Sequence, residues 1–176
     1  PLKSILGIFN SKSLSFKYHH LESSNSTIID KDFEDKLKTF KNFKQYLNHF
    51  KKSQIIIDQN RRKKFIKAEL LKISNKKNLY LEINEKLLDE VTNLVNKPNI
   101  ILCKFDEKFL KIPKEILITS MMFHQKYFHT FDKKESITNI FLVVANNKDN
   151  KGFIKTGNER VINARLSDAQ FFWEKN

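Results

Sequence analysis

Two histidines stand five residues apart in His124-Gln125-Lys126-Tyr127-Phe128-His129. Imidazole binds zinc well, but a site needs three or four ligands, and no Asp, Glu or Cys cluster stands at ligand spacing beside them. Tyr18-His19-His20 fails differently, because neighbours on a strand point to opposite faces. The one cysteine, Cys103, lies in the apolar run Asn99-Ile100-Ile101-Leu102-Cys103 and reads as a buried small hydrophobe. Carboxylates pair at Asp32/Glu34/Asp35, Asp89/Glu90 and Asp106/Glu107, all in polar surroundings that would not tune an acid–base pair. No glycine-rich phosphate loop is present. Phe128 and Phe131 could stack on unpaired bases. With 16 Phe in the chain, burial is the stronger reading. The sequence thus offers no catalytic set and no metal site. What remains is charge. Arg61, Arg62, Lys63, Lys64 and Lys67 put five cations within two helical turns, a candidate contact to a phosphate backbone. Each cation in a first turn opposes the helix dipole by roughly a few tenths of a kcal/mol, so the cluster argues for a purpose. The competing reading is a solvated helix face.

The charge has to be weighed against composition. The 176 residues carry 33 Lys+Arg against 20 Asp+Glu, a net charge of +13. Only four are Arg: Arg61, Arg62, Arg160 and Arg165. Lys, Asn, Ile and Phe have A/T-rich codons, so codon drift can account for part of the excess. Residues 1–30 are net +1, 31–78 net +10 and 79–176 net +2, which concentrates the charge in one segment. A hydrophobic content of 40% excludes a disordered chain. No apolar stretch of about 18 residues exists to cross a membrane. A single cysteine excludes an internal disulfide, and a cytoplasmic location is expected. Pro1-Leu2-Lys3-Ser4-Ile5 has neither initiator Met nor signal-peptide core, so a fragment of a longer chain is expected.

Three segments follow: 1–30, sheet-forming; 31–78, basic and helical; 79–176, α+β. In the second, Asp32 is expected to cap a helix with Phe33, Leu37, Phe40, Phe43, Leu47 and Phe50 on one stripe. The β-branched residues of 54–58 read as a strand. Asp58 then caps a second helix that buries Phe65, Ile66, Leu70 and Ile73. In the third, residues 85–95 form a helix with Leu87, Leu88, Val91, Leu94 and Val95 inside. Residues 100–105 form a buried strand. Pro113 opens a helix through Ile116, Leu117 and Met121. Strands 126–131 and 140–145 are expected to pair antiparallel across the turn 132–136. Thr156 and Glu159 read as a capping box for a last helix with Val161, Ile162, Leu166, Ala169, Phe172 and Trp173 inside. Arg165 and Asp168 can pair across one turn of it. The expected class is α+β: a mixed or antiparallel sheet with packed amphipathic helices, ending in a long helix.

The carboxyl third also resembles a known family. Ile116-Leu117-Ile118-Thr119-Ser120-Met121, His124-Gln125-Lys126-Tyr127-Phe128, Phe141-Leu142-Val143-Val144-Ala145-Asn146 and Gly157-Asn158-Glu159-Arg160-Val161-Ile162-Asn163-Ala164-Arg165-Leu166-Ser167-Asp168-Ala169-Gln170-Phe171-Phe172 resemble, in order, the beta subunit of bacterial tetrameric glycyl-tRNA synthetase. Upstream, Asp89-Glu90-Val91-Thr92-Asn93-Leu94-Val95 and Phe105-Asp106-Glu107-Lys108-Phe109-Leu110-Lys111-Ile112-Pro113 fit the same order. The resemblance spans Leu87 to Trp173 firmly and extends back to Leu6-Gly7. It departs where this chain reads Lys17-Tyr18-His19-His20 and the family usually carries Gly-His-Arg-Phe. The resemblance implies an internal piece preceding the HD-type and anticodon-binding regions. It implies an enzyme that joins glycine to tRNA(Gly) using ATP and Mg, as a heterotetramer of two alpha and two beta chains. Adenylate chemistry falls to the alpha subunit, and this segment, without catalytic residues or cofactor of its own, would support tRNA binding and architecture. The alternative is a protein-contact scaffold without RNA contact. Thr156, Gly157, Glu159, Arg165, Asp168 and Phe172 mark the most characteristic stretch, with structural roles.

Overall fold

The first third of the chain folds as short strands and one helix, the rest around a longer sheet, in a computed structural model that describes residues 2–28 and 37–175. Two units result, Pro1–Ile56 and Ile57–Asn176, and their boundary falls inside the basic segment 31–78.

In the first unit, β1 (Ile5–Leu6) runs parallel to β5 (Leu21–Ser24), which pairs antiparallel with β4 (Lys17–Tyr18). β2 (Ile8–Phe9) and β3 (Lys12–Ser13) form a hairpin whose turn residues Asn10 and Ser11 both have positive φ, 47° and 63°. β6 (Ser26–Thr27) pairs with β7 (Lys38–Thr39). The expected helix through Phe33–Phe50 is shortened. Asp32 and Phe33 lie outside the described residues, Leu37 is exposed, and α1 spans only Phe43–Lys52. The reason is local. Asn42 accepts from the Gln45 N–H at 3.0 Å, and Gln45 Oε1 accepts from the Lys41 N–H at 2.9 Å, a reciprocal cap that starts the helix there. Phe40, just before it, is buried against the Tyr46 and His49 rings.

No strand forms at residues 54–58, contrary to their β-branched composition. The end of α1 uses them instead. Gln54 takes a positive φ of 63°, its N–H reaches Lys51 O, and the Ile55 N–H reaches Phe50 O at 3.0 Å. That double closure is a Schellman motif with Gln where Gly is usual.

The second unit opens as expected at Asp58, whose carboxylate accepts from the Arg61 N–H at 2.6 Å and caps α2 (Gln59–Lys76). Asn84 caps α3 (Glu85–Leu94) in the same way. Then come β8 (Asn99–Lys104), a 3-10 turn (Glu107–Lys111), α4 (Lys114–Thr119) and a π-helical turn (Ser120–His124). β9 (Phe128–Phe131), β10 (Ile137–Ala145) and α5 (Phe153–Lys175) complete it. The sheet order is β8-β10-β9, all antiparallel, and the expected hairpin is present. Asp132 shapes its turn by accepting from the Lys134 and Ser136 N–H groups. Tyr80 adds a two-bond bridge to Phe131 on the outer side of β9. A bulge in β10 leaves the Ile140 carbonyl to the Thr130 hydroxyl at 2.7 Å.

Alternation along the strands gives the sheet two apolar faces. Ile101, Cys103, Phe141 and Val143 pack with Phe109, Leu117, Ile162 and Leu166. On the other face, Leu142 and Phe128 pack with Ile66 and Leu70 of α2 and Leu87, Leu88 and Val91 of α3. The architecture is α+β, with helices over both faces of an antiparallel sheet and a long helix at the end.

Several side chains depart from the expected stripes. Phe65 is 41% exposed and Leu94 70% exposed. On α5 only Ile162 and Leu166 are fully buried, while Val161, Phe172 and Trp173 stand outside. The capping box at Thr156 is also corrected. α5 begins at Phe153, and its cap is Asp149, whose carboxylate accepts from the Ile154 and Lys155 N–H groups at 3.1 and 2.8 Å. Thr156 is inside the helix, its N–H bonded to Gly152 O. Glu159 reaches sideways and accepts from the Lys104 N–H at 2.8 Å.

Candidate nucleic-acid interface

The five cations singled out at the start of α2 divide between two faces. A helix turns 100° per residue, so Arg62, Lys63 and Lys67 flank the buried line of Ile66 and Leu70, while Arg61 and Lys64 lie toward the opposite side. Arg62 Nε donates to the carbonyl of Thr92 at 2.8 Å, and its Nη1 to the carbonyl of Ile57 at 3.1 Å. Lys63 sits between two carboxylates of α3, Glu85 at 2.9 Å and Asp89 at 2.7 Å. Lys67 holds the other oxygen of Glu85 at 2.7 Å. Hydrogen bonds to Asp89 and then Glu85 raise the Lys63 pKa above its ordinary value. Those from Lys67 and then Lys63 lower that of Glu85. These three cations join α2 to α3.

Arg61 and Lys64 are exposed, and among the described residues their side chains have no partner. Continuing the same outward line at helical spacing brings in Phe65, Ala68, Lys72, Asn75 and Lys76. Lys72 pairs only with exposed Glu69 one turn away, at 3.0 Å. The outward face therefore carries Arg61, Lys64, Lys72 and Lys76 over about 22 Å of helix, with Phe65 among them. From sequence, Phe65 reads as a core residue, which turns the helix and hides Lys72, and Lys76 reads as part of a polar closing loop at 75–78, whereas α2 runs through Lys76. The Lys72 and Lys76 spacing from Arg61 was the available signal.

The other candidates are structural. Cys103 is fully buried, and burial pushes its thiol up to about 12. His129 is buried in β9, its Nδ1 has no hydrogen-bond partner among the described residues, and desolvation lowers its pKa from the ordinary value. His124 ends the π-helical turn. Asp106 caps the 3-10 turn, Asp89 holds Lys63, and Glu90 holds Lys126 at 2.6 Å. Asp32, Glu34 and Asp35 lie outside the described residues. Phe128 is buried, and Phe131 lies under the Lys114 ammonium at 4.9 Å. Among the described residues no three His, Cys, Asp or Glu gather to hold a metal. Nor is any helix among them long and apolar enough to cross a membrane. Arg165 and Asp168 are both exposed, and no ion pair joins them among the described residues. An added side chain at Gly157 would meet nothing within 4 Å.

Known proteins match over the whole length. A glycine–tRNA ligase beta subunit of Rickettsia akari is 37% identical over 177 residues, covering all of this chain and 27% of that protein. The corresponding subunits of Rickettsia canadensis and Rickettsia bellii are each 36% identical, again over the entire chain and about a quarter of their own length. The chain thus spans roughly a quarter of the relatives it matches. The family described as glycyl-tRNA synthetase beta subunit matches residues 1–176 without interruption, and the chain belongs to that family.

Proposed function

We propose that this chain is a noncatalytic segment of a glycine–tRNA ligase beta subunit that supports tRNA binding and subunit architecture. In that reading the whole enzyme joins glycine to tRNA(Gly) in the cytoplasm, consuming ATP with Mg, as two alpha and two beta chains. Activation of glycine lies outside residues 1–176. The observation that carries the RNA contact is the outward face of α2. Its four cations point away from the sheet, and three of them, Arg61, Lys64 and Lys76, have no carboxylate partner among the described residues. Phosphates would be held by Arg61, Lys64, Lys72 and Lys76. Arg62, Lys63 and Lys67 would act one step back, by fixing α2 against α3. The exposed ring of Phe65 supplies a surface for base or ribose contact.

The test is tRNA binding by the complete beta chain as a function of salt. Replacing Arg61 and Lys64 with Gln should weaken binding to all tRNA sequences alike. Each lost phosphate contact should also shallow the log–log salt slope by roughly 0.7–0.9. An unchanged slope favours the second reading, a protein-contact segment. A specific feature supports that alternative: Phe171, Phe172 and Trp173 leave a cluster of large apolar surface at the end of α5.

A further inference from the structure

β8 is an edge strand, and one side of it is open. The Phe105 N–H donates to Asn139 O at 3.0 Å, next in register after the pair Lys104–Ile140. By the two-residue period, Cys103, Ile101 and Asn99 also bond to β10, whereas Lys104, Leu102 and Ile100 direct their N–H and C=O groups outward. At Lys104 the outward N–H is closed by the Glu159 carboxylate at 2.8 Å. Nothing among the described residues closes Ile100 and Leu102. Beside them is an open groove walled by Lys148, Asp149, Asn150, Gly152 and Lys155. Asp149 is committed to the first turn of α5, so the groove presents Lys148, Lys155 in a long 3.9 Å pair with Glu159, and a run of main chain that is open among the described residues. Native sheets ordinarily close such edges with a bulge, a charge or another strand.

We propose that Ile100 and Leu102 accept an added β-strand, and that the strand comes from the part of the same beta chain outside residues 1–176. This rests on the reading that the chain is a segment of a beta subunit as long as its relatives, nearly four times the matched stretch. The recognition elements are paired main-chain donors and acceptors at a two-residue period, which an extended polypeptide reproduces and a nucleic acid does not. Ile100 and Leu102 offer four such bonds, and a free peptide held by four would bind at about 1 mM or weaker. A segment of the same chain, positioned by the rest of the fold, avoids the cost of association. Lys148 and Lys155 favour a carboxylate side chain on the added strand.

Hydrogen exchange of the complete beta chain, without the alpha subunit, reads the two amides directly. The expected result is exchange at Ile100 and Leu102 about 100-fold or more slower than at an open strand edge. Open-edge rates overturn the proposal. So does slow exchange that appears only with added alpha subunit, or that is lost on dilution, since either places the strand in another chain. Leu102→Pro gives a second arm. Proline removes an N–H that β10 does not use, so Ile101 and Cys103 should stay slow while Ile100 accelerates to the open-edge rate. Persistent slow exchange at Ile100 would mean that something other than a paired strand covers the edge, and overturns the proposal. If that variant does not fold, the unsubstituted chain decides alone. Neither arm involves tRNA, so the outcome is independent of the role given to α2.

Discussion

The guanidinium of Arg62 donates to the main-chain carbonyl of Thr92 at 2.8 Å, across from the helix that carries it. Thr92 is buried near the end of α3, where its hydroxyl bonds back to Leu88 O. Two adjacent arginines on α2 therefore stand in different surroundings, Arg62 bonded to main chain and Arg61 exposed. Arg62→Gln should lower stability by about 1.5–3 kcal/mol, the range for a hydrogen bond from a charged group, and leave the salt slope of tRNA binding unchanged. Arg61→Gln should do the reverse. Thermal unfolding and salt-dependent binding of the two variants check the division. A destabilised Arg61→Gln or an altered slope for Arg62→Gln would contradict it.

Glu85, held by Lys67 and Lys63, has a carboxyl pKa below its ordinary 4.5. A lowered carboxylate pKa stabilises the native chain above the ordinary value, and that contribution is lost as pH falls through the folded value. The urea midpoint should therefore drop as pH falls below the ordinary 4.5, and Glu85→Gln should flatten that part of the profile. Lys63 works in the opposite direction at the alkaline end. Its pKa is raised, so its contribution is present at neutral pH and is lost as pH rises above the ordinary 10.5. The exposure of these groups keeps the change small, and adding salt should shrink it further. A midpoint equally steep in Glu85→Gln would show that other carboxylates control the acid transition.

The sheet was legible because its signals are local and dense. Residues 140–145 are an unbroken apolar run, and Asp132 to Ser136 supply the turn. α2 was legible in its cap and extent but not in its rotation. Phe65 is chemically at home in a core, and only the packing of α3 against Ile66 and Leu70 shows that it is outside. Residues 54–58 misled for a different reason. Ile55-Ile56-Ile57 has strand propensity, but the closure of α1 at Gln54 fixes the backbone first. The site was half legible. Cation density pointed to α2, while Thr92, Asp89 and Glu85, which engage Arg62, Lys63 and Lys67, sit on α3 some 18 to 30 residues away. No spacing rule along one helix could find them.

Asp149 and Thr156 compete as the start of the last helix. The carboxylate of Asp149 accepts from two amides of the first turn, and Thr156 lies one turn further in. Asp149→Ala should cost about 0.5–2 kcal/mol, the usual loss for a side-chain cap. Thr156→Ala should be neutral or slightly stabilising, because Ala is the better residue within a helix. Chemical denaturation of both variants measures the difference. A larger loss from Thr156→Ala would restore the capping box.

Gly157 stands in the interior of α5, four residues from its first residue, with open space where a side chain would be. Nothing in the fold requires glycine there: its φ is not positive, and an added methyl group touches no neighbour. Glycine within a helix costs roughly 0.5–1 kcal/mol relative to alanine, through the entropy it loses on folding. Gly157→Ala should therefore raise the stability of the chain by about that amount. The position also lies in the segment that belongs to the family, as the whole chain does, and a stability cost with no packing reason there is what a surface approached closely by another molecule would carry. The decisive comparison is between unfolding and aminoacylation by the assembled ligase. A more stable variant with full activity makes the glycine incidental. A more stable variant whose activity falls makes the bare helix surface at Gly157 a contact for tRNA or a neighbouring chain. A variant less stable than the original would contradict the open geometry on which the argument rests.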